Sequence, residues 1–181
     1  MGFTFALIVF AGMFGLALFW SAWLSLESPV RRPRLRLQGA ALILAYVLLV
    51  AFEPWLAACF PEPRTEALDE ALASWHLLQL VVLVVLVGPV VEEYLFRWVM
   101  LHGVSRRFGL LAGCVASTAM WVAMHGQYDP FSLLVYTVTG LLLGATVIET
   151  RSLVPATLLH MANNAIALAE RCAGTAGHCA G

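Results

Sequence analysis

Apolar residues run in six long stretches separated by short polar breaks. The stretches cover residues 3–26, 37–60, 75–101, 110–125, 131–148 and 154–169. Each is near the ~20 residues a helix needs to span hydrocarbon. The fourth and sixth are short and rely on tilt or local thinning of the bilayer. The two-residue alternation of a membrane barrel is absent. Backbone groups in lipid must bond within their own segment, so each stretch is predicted to be a helix. The breaks are 28–36 (Pro29, Pro33 and four Arg), 61–74 (Pro61, Pro63 and four carboxylates), 102–109, 126–130 and 149–153. The expectation is an all-α fold, a polytopic membrane bundle of about six transmembrane helices in one domain. Residues 1–75 serve as accessory helices, 76–170 form the core and 171–181 a tail.

Composition agrees. Of 181 residues 61% are hydrophobic and 12% charged, which excludes an ordinary soluble domain. The net charge of −1 gives no electrostatic basis for binding nucleic acid. All the basic residues are Arg, read here as the codon bias of a GC-rich bacterial genome, and this directs the chain to the bacterial inner membrane. No basic residue precedes the apolar stretch 2–26, which is also too long for a signal peptide; it is expected to stay as a membrane helix. Arg31, Arg32, Arg34, Arg36, Arg106, Arg107 and Arg151 fall on alternate breaks, and Arg64 and Arg171 on the others. The positive-inside rule then puts both termini on the exocytoplasmic side. Cys172 and Cys179 would face that space and pair if it is oxidising, or remain free thiols. The four cysteines lack metal-ligand spacing.

Other features have structural readings. Trp20, Trp23, Trp55, Trp75 and Trp98 lie toward predicted helix ends, where interfacial anchoring accounts for them. Gly140 and Gly144 form a small-xxx-small pair suited to helix contact. Pro89, after Gly88, removes a ladder bond inside the third helix and should kink it beside Glu92.

The polar residues within these stretches carry the candidate chemistry. Glu92, Glu93 and Arg97 follow a long apolar run, and each charge at mid-bilayer costs roughly 2.5–3.5 kcal/mol. Glu93 and Arg97 are spaced i, i+4 in the favourable order for an ion pair. Glu92 points ~100° away around the helix. A carboxylate left unpaired in a low-dielectric site holds a proton more tightly, which suits a general acid or base. The plain alternative is structural ion-pair glue. His125 ends the fourth stretch, one turn after Trp121; alone it reads as a capped helix end. His160 and Asn164 share one face of the sixth helix, with Asn163 adjacent, and such pairs also bond helix to helix. Together, on three helices, a carboxylate, two imidazoles and an amide can activate water and stabilise an oxyanion. No Ser or Cys stands out as a nucleophile with its own base. Zinc held by His125, His160 and one Glu is chemically feasible, but the usual His-Glu-x-x-His helix is absent, and no metal or other cofactor is expected. By residue count Glu92 and His160 fall in the cytoplasmic half and His125 nearer the outer end. The mismatch reaches ~10–15 Å unless tilt, a late fourth helix or a dipping 126–130 turn removes it.

Order and spacing resemble the CPBP family of CAAX-processing and bacteriocin-processing intramembrane glutamic proteases. The family pattern is Glu-Glu-x-x-x-Arg, an aromatic with His four later, then His-x-x-x-Asn. The chain has Glu92-Glu93-x-x-x-Arg97, Trp121-x-x-x-His125 and His160-x-x-x-Asn164. Similarity covers about 87–165. Trp121 stands where the family more often has Phe. The resemblance implies that Glu92 activates water with help from His125, that His160 and Asn164 form the oxyanion site, and that Glu93 and Arg97 support it. The expected activity is cleavage of a peptide or protein substrate with a hydrophobic segment, in contact with membrane lipid. A leader peptide or a C-terminal sorting signal fits a compact bacterial member. Two other classes share the same residues: a non-catalytic peptide-binding or immunity protein, and a proton-coupled transporter.

Overall fold

The computed structural model describes residues 3–23, 36–60 and 76–174. Every regular element among these residues is helical. In order they are α1 (Phe3–Trp23), α2 (Leu37–Ala57), α3 (Leu77–Phe108), α4 (Leu110–His125), α5 (Pro130–Thr150) and α6 (Val154–Gly174). Each predicted stretch therefore holds a helix. Three of them, α2, α3 and α5, are long and apolar enough to cross a membrane; α4 and the Ala6–Trp20 part of α1 are shorter apolar helices. His160, Asn163, Asn164, Glu170 and Arg171 interrupt the apolar pattern of α6. The breaks around Arg31, Arg32, Arg34 and Arg64, together with Trp75, Cys179 and the end of the tail, lie outside the described residues. Cys172 is disulfide-bonded, while Cys59 and Cys114 are free.

Polar residues at helix ends explain most boundaries. Asp129 caps α5, its carboxylate accepting from the Ser132 backbone N–H at 2.9 Å. Pro130 follows at the first helical position, where no N–H is needed. The third helix does not end at Leu101. It runs to Phe108, because residues 102–108 contain no proline and the single Gly103 is tolerated within a helix. Gly109 ends it with φ of +88°, a conformation open mainly to glycine. The break between α3 and α4 is thus one residue, and the two form a tight hairpin. Ser117 Oγ of α4 donates to the Phe96 carbonyl of α3 at 2.7 Å.

The winding of α3 is unusual. Segments Val81–Val87 and Glu93–Met100 are wound wide, with i→i+5 bonding, on either side of an ordinary turn at Gly88–Glu92. The chain stays helical through Pro89. Wide turns are rare in helices and concentrate at functional sites.

The core lies between α3, α5 and the N-terminal helices. Tyr46, Tyr94, Trp98, Leu143 and Val147 pack there with Ala17 and Ala156. Trp98 is only 5% exposed, so it is a core residue and not an interfacial anchor; α3 continues ten residues past it. Trp20 and Trp55 are exposed, as interfacial residues would be. Helix α5 packs on α2 and α4, and α3 packs on α1, α4 and α6. The glycine pair of α5 divides in two. A Cβ on Gly140 would meet Thr118 Cγ2 at 2.9 Å and Trp121 Cε3 at 3.2 Å, whereas one on Gly144 would meet only Leu101 Cδ1 at 3.5 Å. Gly140 is the close approach that lets α4 sit against α5.

Candidate active site

Glu92 comes from the ordinary turn at the centre of α3, and Glu93 starts the wide-wound segment after it. The two carboxylates separate as helix geometry requires. Glu93 is fully buried, and Glu92 is 21% exposed toward an internal cavity. Arg97 Nε lies 3.6 Å from Glu93 Oε2, both side chains fully buried. The Arg97 guanidinium also sits over the Trp121 ring, 4.6 Å from its centroid. That contact offers a buried cation partial compensation without a hydrogen bond.

Trp121 links the two sides of the site. Its indole Nε1–H donates to Glu92 Oε2 at 2.8 Å. The ring also packs edge-on against His125 (4.4 Å between centroids) and His160 (5.8 Å). A Phe at this position could not supply the hydrogen bond. The sequence motif includes Trp121 but assigns it no chemical role; the available signal is an indole N–H within an apolar helix, which needs a partner when buried.

His160 is held between the carboxylates. Its Nδ1 lies 3.0 Å from Glu93 Oε1 and its Nε2 4.0 Å from Glu92 Oε2. With Glu93 ionised opposite Arg97, Nδ1 carries the hydrogen and Nε2 faces Glu92. His125 Nδ1 lies 2.8 Å from the Trp121 carbonyl. A carbonyl can only accept, so Nδ1 donates and Nε2 remains available for chemistry. Asn164 Nδ2 donates to the Val84 carbonyl at 2.8 Å.

These residues meet in a cavity of about 610 Å³ lined by Glu92, Trp121, His125, His160, Asn163 and Asn164. The depth mismatch expected for His125 does not arise. The α3–α4 hairpin brings Trp121 level with Glu92, and the extra residue in each turn of Glu93–Met100 shortens that arm of α3. The fourth helix does not start late: it begins directly after Gly109. The rest of the lining comes from one end of the bundle, with Glu53 near the end of α2, Gln127 after α4, Ser132 at the start of α5 and Glu170 near the end of α6. Tyr136 and Ser132 both donate to Gln127 Oε1, at 3.2 and 3.3 Å. Glu53, Gln127 and Tyr136 are cavity residues that sequence reasoning missed; nothing in their local spacing marks them. Arg36, Arg106, Arg107 and Arg151 lie at the opposite ends of their helices. His125, His160 and Glu92 share the cavity, yet among the described residues no group of three His, Cys, Asp or Glu side chains is placed to hold a metal ion.

An acid beside two imidazoles, enclosed by apolar helices, has the make-up of a membrane-embedded hydrolase. The model of the type II CAAX prenyl endopeptidase Rce1-like family matches residues 74–166, and the chain belongs to that family. The match includes Glu92, Glu93, Arg97, His125, His160 and Asn164, and leaves α1 and α2 outside it. No curated protein and no solved structure matches the chain.

Proposed function

We propose that the protein is an intramembrane endopeptidase of glutamic type. Glu92 takes a proton from a water molecule in the cavity, and the resulting hydroxide attacks the carbonyl carbon of the scissile peptide bond. A doubly protonated His160, its Nδ1–H held by Glu93, donates from Nε2–H to the oxyanion, beside the second N–H of Asn164. The C–N bond then breaks as the proton passes from Glu92, assisted by His125, to the leaving amine. Glu93 and Arg97 hold His160 and Trp121 in place. No covalent intermediate and no metal is required. The observation that carries this reading is the shared cavity of Glu92, His125 and His160, with Glu92 fixed by Trp121 and His160 fixed by Glu93.

The reading extends to setting and substrate. All six helices span a bacterial inner membrane, with both termini and the cavity-lining ends on the exocytoplasmic side. The distribution of Arg supports that orientation. The substrate is then a membrane-associated or exported chain cut in a leader or a C-terminal sorting signal, and not a cytoplasmic protein.

The test is peptide cleavage by the purified full chain in lipid. Glu92→Gln should abolish turnover while leaving thermal unfolding near that of the wild type. Full activity in this variant overturns the proposal. Loss of wild-type activity in a chelator, restored by zinc, overturns the metal-free mechanism alone.

A further inference from the structure

Glu92 and His125 line a second pocket as well. It has a volume of about 310 Å³, and its other walls are wholly apolar: Ala6, Val9, Phe10 and Met13 of α1, Phe96 of α3 and Met124 of α4. The four α1 residues follow one helical stripe at i, i+3, i+4 and i+7. Helix α1 packs chiefly on α3, and α4 on α3 and α5. A cleft is left between α1 and α4, with Phe96 buried at its floor. Its lips are open: Val9 is 38% and Met124 58% exposed. In a bilayer they face acyl chains, and the two Met side chains can adapt to different shapes.

Glu92 and His125, with Ala6 and Phe10, line both pockets and stand where the two adjoin. On one side lies the large cavity, where Asn, Gln, Ser, Tyr and Glu side chains stand among apolar ones such as Leu83, Phe131 and Val135. On the other lies an apolar pocket open to lipid. Hydrolysis needs water on one side of the general base and a peptide bond within reach of it. The polar groups of the large cavity suit the water, and the apolar pocket suits the chain arriving from the membrane. The pocket's size is at the low end for ligand sites, about 300–1,000 Å³.

We propose that the pocket between α1 and α4 is the specificity subsite for a large apolar side chain adjoining the scissile bond, presented by a substrate segment that enters from the lipid. This rests on the endopeptidase reading and adds a role for α1, which lies outside the family match. Val9 and Met124 line this pocket and not the larger cavity, so both are clean positions for a test.

The probe is a mixture of single-span Leu/Ala peptides with a central Gly-Ser segment. Each carries Gly, Ala, Leu, Phe or Trp at a varied position in that segment. The peptides are reconstituted with the purified full chain in phosphatidylethanolamine–phosphatidylglycerol vesicles, and products are read by mass spectrometry. The wild type should cleave beside Leu or Phe about tenfold faster than beside Gly or Ala. Val9→Trp, which fills the pocket, should reduce that ratio to below about twofold. Met124→Ala, which enlarges it, should shift preference toward Trp. A preference unchanged in both variants overturns the subsite and assigns the cleft to lipid alone. Cleavage that persists in Glu92→Gln overturns the endopeptidase reading instead. No Glu92-dependent cleavage beside any of the five residues overturns both.

Discussion

The side-chain amide of Asn164 donates to the carbonyl oxygen of Val84, 2.8 Å away. In the wide winding of α3 the natural donor to that carbonyl is the N–H five residues on, at position 89. That residue is Pro89, which has none. The Gly88 N–H is already engaged with the Leu83 carbonyl. Asn164 thus supplies, from another helix, the hydrogen bond that Pro89 removes.

A rescue experiment follows. Asn164→Ala should cost about 1–3 kcal/mol by leaving a carbonyl unsatisfied within the bundle. Adding Pro89→Ala returns an N–H and should recover much of that stability in thermal unfolding. Turnover separates the two roles of Asn164: if its second N–H serves the oxyanion, the double variant regains stability and not kcat. Full recovery of both would assign Asn164 to holding α3 alone.

Trp121→Phe keeps an aromatic ring beside His125 and His160 and deletes the donor to Glu92. A hydrogen bond to a charged group contributes about 1.5–3 kcal/mol, so kcat should fall roughly 10- to 100-fold. The protein should remain folded, as judged by size-exclusion in detergent. Unchanged kinetics would mean that the indole N–H does not act on Glu92 during turnover.

The glycines of α5 should respond unequally. Gly140→Ala drives a methyl group into Thr118 and Trp121 and should lower the melting temperature, the overpacking cost being about 1–3 kcal/mol. Gly144→Ala meets only an ordinary contact with Leu101. It should be neutral or stabilising, since Ala exceeds Gly in helix propensity by about 1 kcal/mol. Parallel melting curves decide this, and equal losses would contradict the packing described.

Asp129 offers a pH test outside the spans. Its hydrogen bonds to Ser132 hold the carboxyl below its usual range. A depressed carboxylate stabilises the fold above its unfolded pKa of ~3.9, and the contribution is lost as pH falls through the folded value. Asp129→Ala should lower stability at neutral pH by about 0.5–2 kcal/mol, the loss of a helix cap. The gap between variant and wild type should close below about pH 4. A gap that persists in acid would show that the carboxylate is not what caps α5.

Much of this architecture could be read along the chain. Apolar runs bounded by polar breaks placed all six helices, and the i, i+4 spacing of Glu93 and Arg97 anticipated their buried pair. What remained hidden depends on contact between distant segments. Residues 102–108 look like a loop because they are largely polar, yet they hold no proline, and Gly103 alone does not end the helix before Gly109. Trp98 was assigned to an interface because the end of α3 was placed too early. The wide turns of α3 have no compositional mark, so neither the bond from Asn164 to Val84 nor the alignment of Trp121 with Glu92 could be foreseen. Glu53 and Tyr136 reach the cavity only through the packing of α2 and α5.

The single-residue link at Gly109 bears on how such a chain enters a membrane. Glu92, Glu93, Arg97 and Trp121 all belong to the α3–α4 hairpin, so the acid, its counter-charge and the indole can find one another before α5 and α6 have left the ribosome. The hairpin can then move from translocon to lipid with Glu93 already paired to Arg97 and Glu92 already bonded to Trp121, which lowers the penalty each would face in isolation. His160, Asn163 and Asn164 arrive last, with α6, so the cavity they line with Glu92 is completed late in biogenesis.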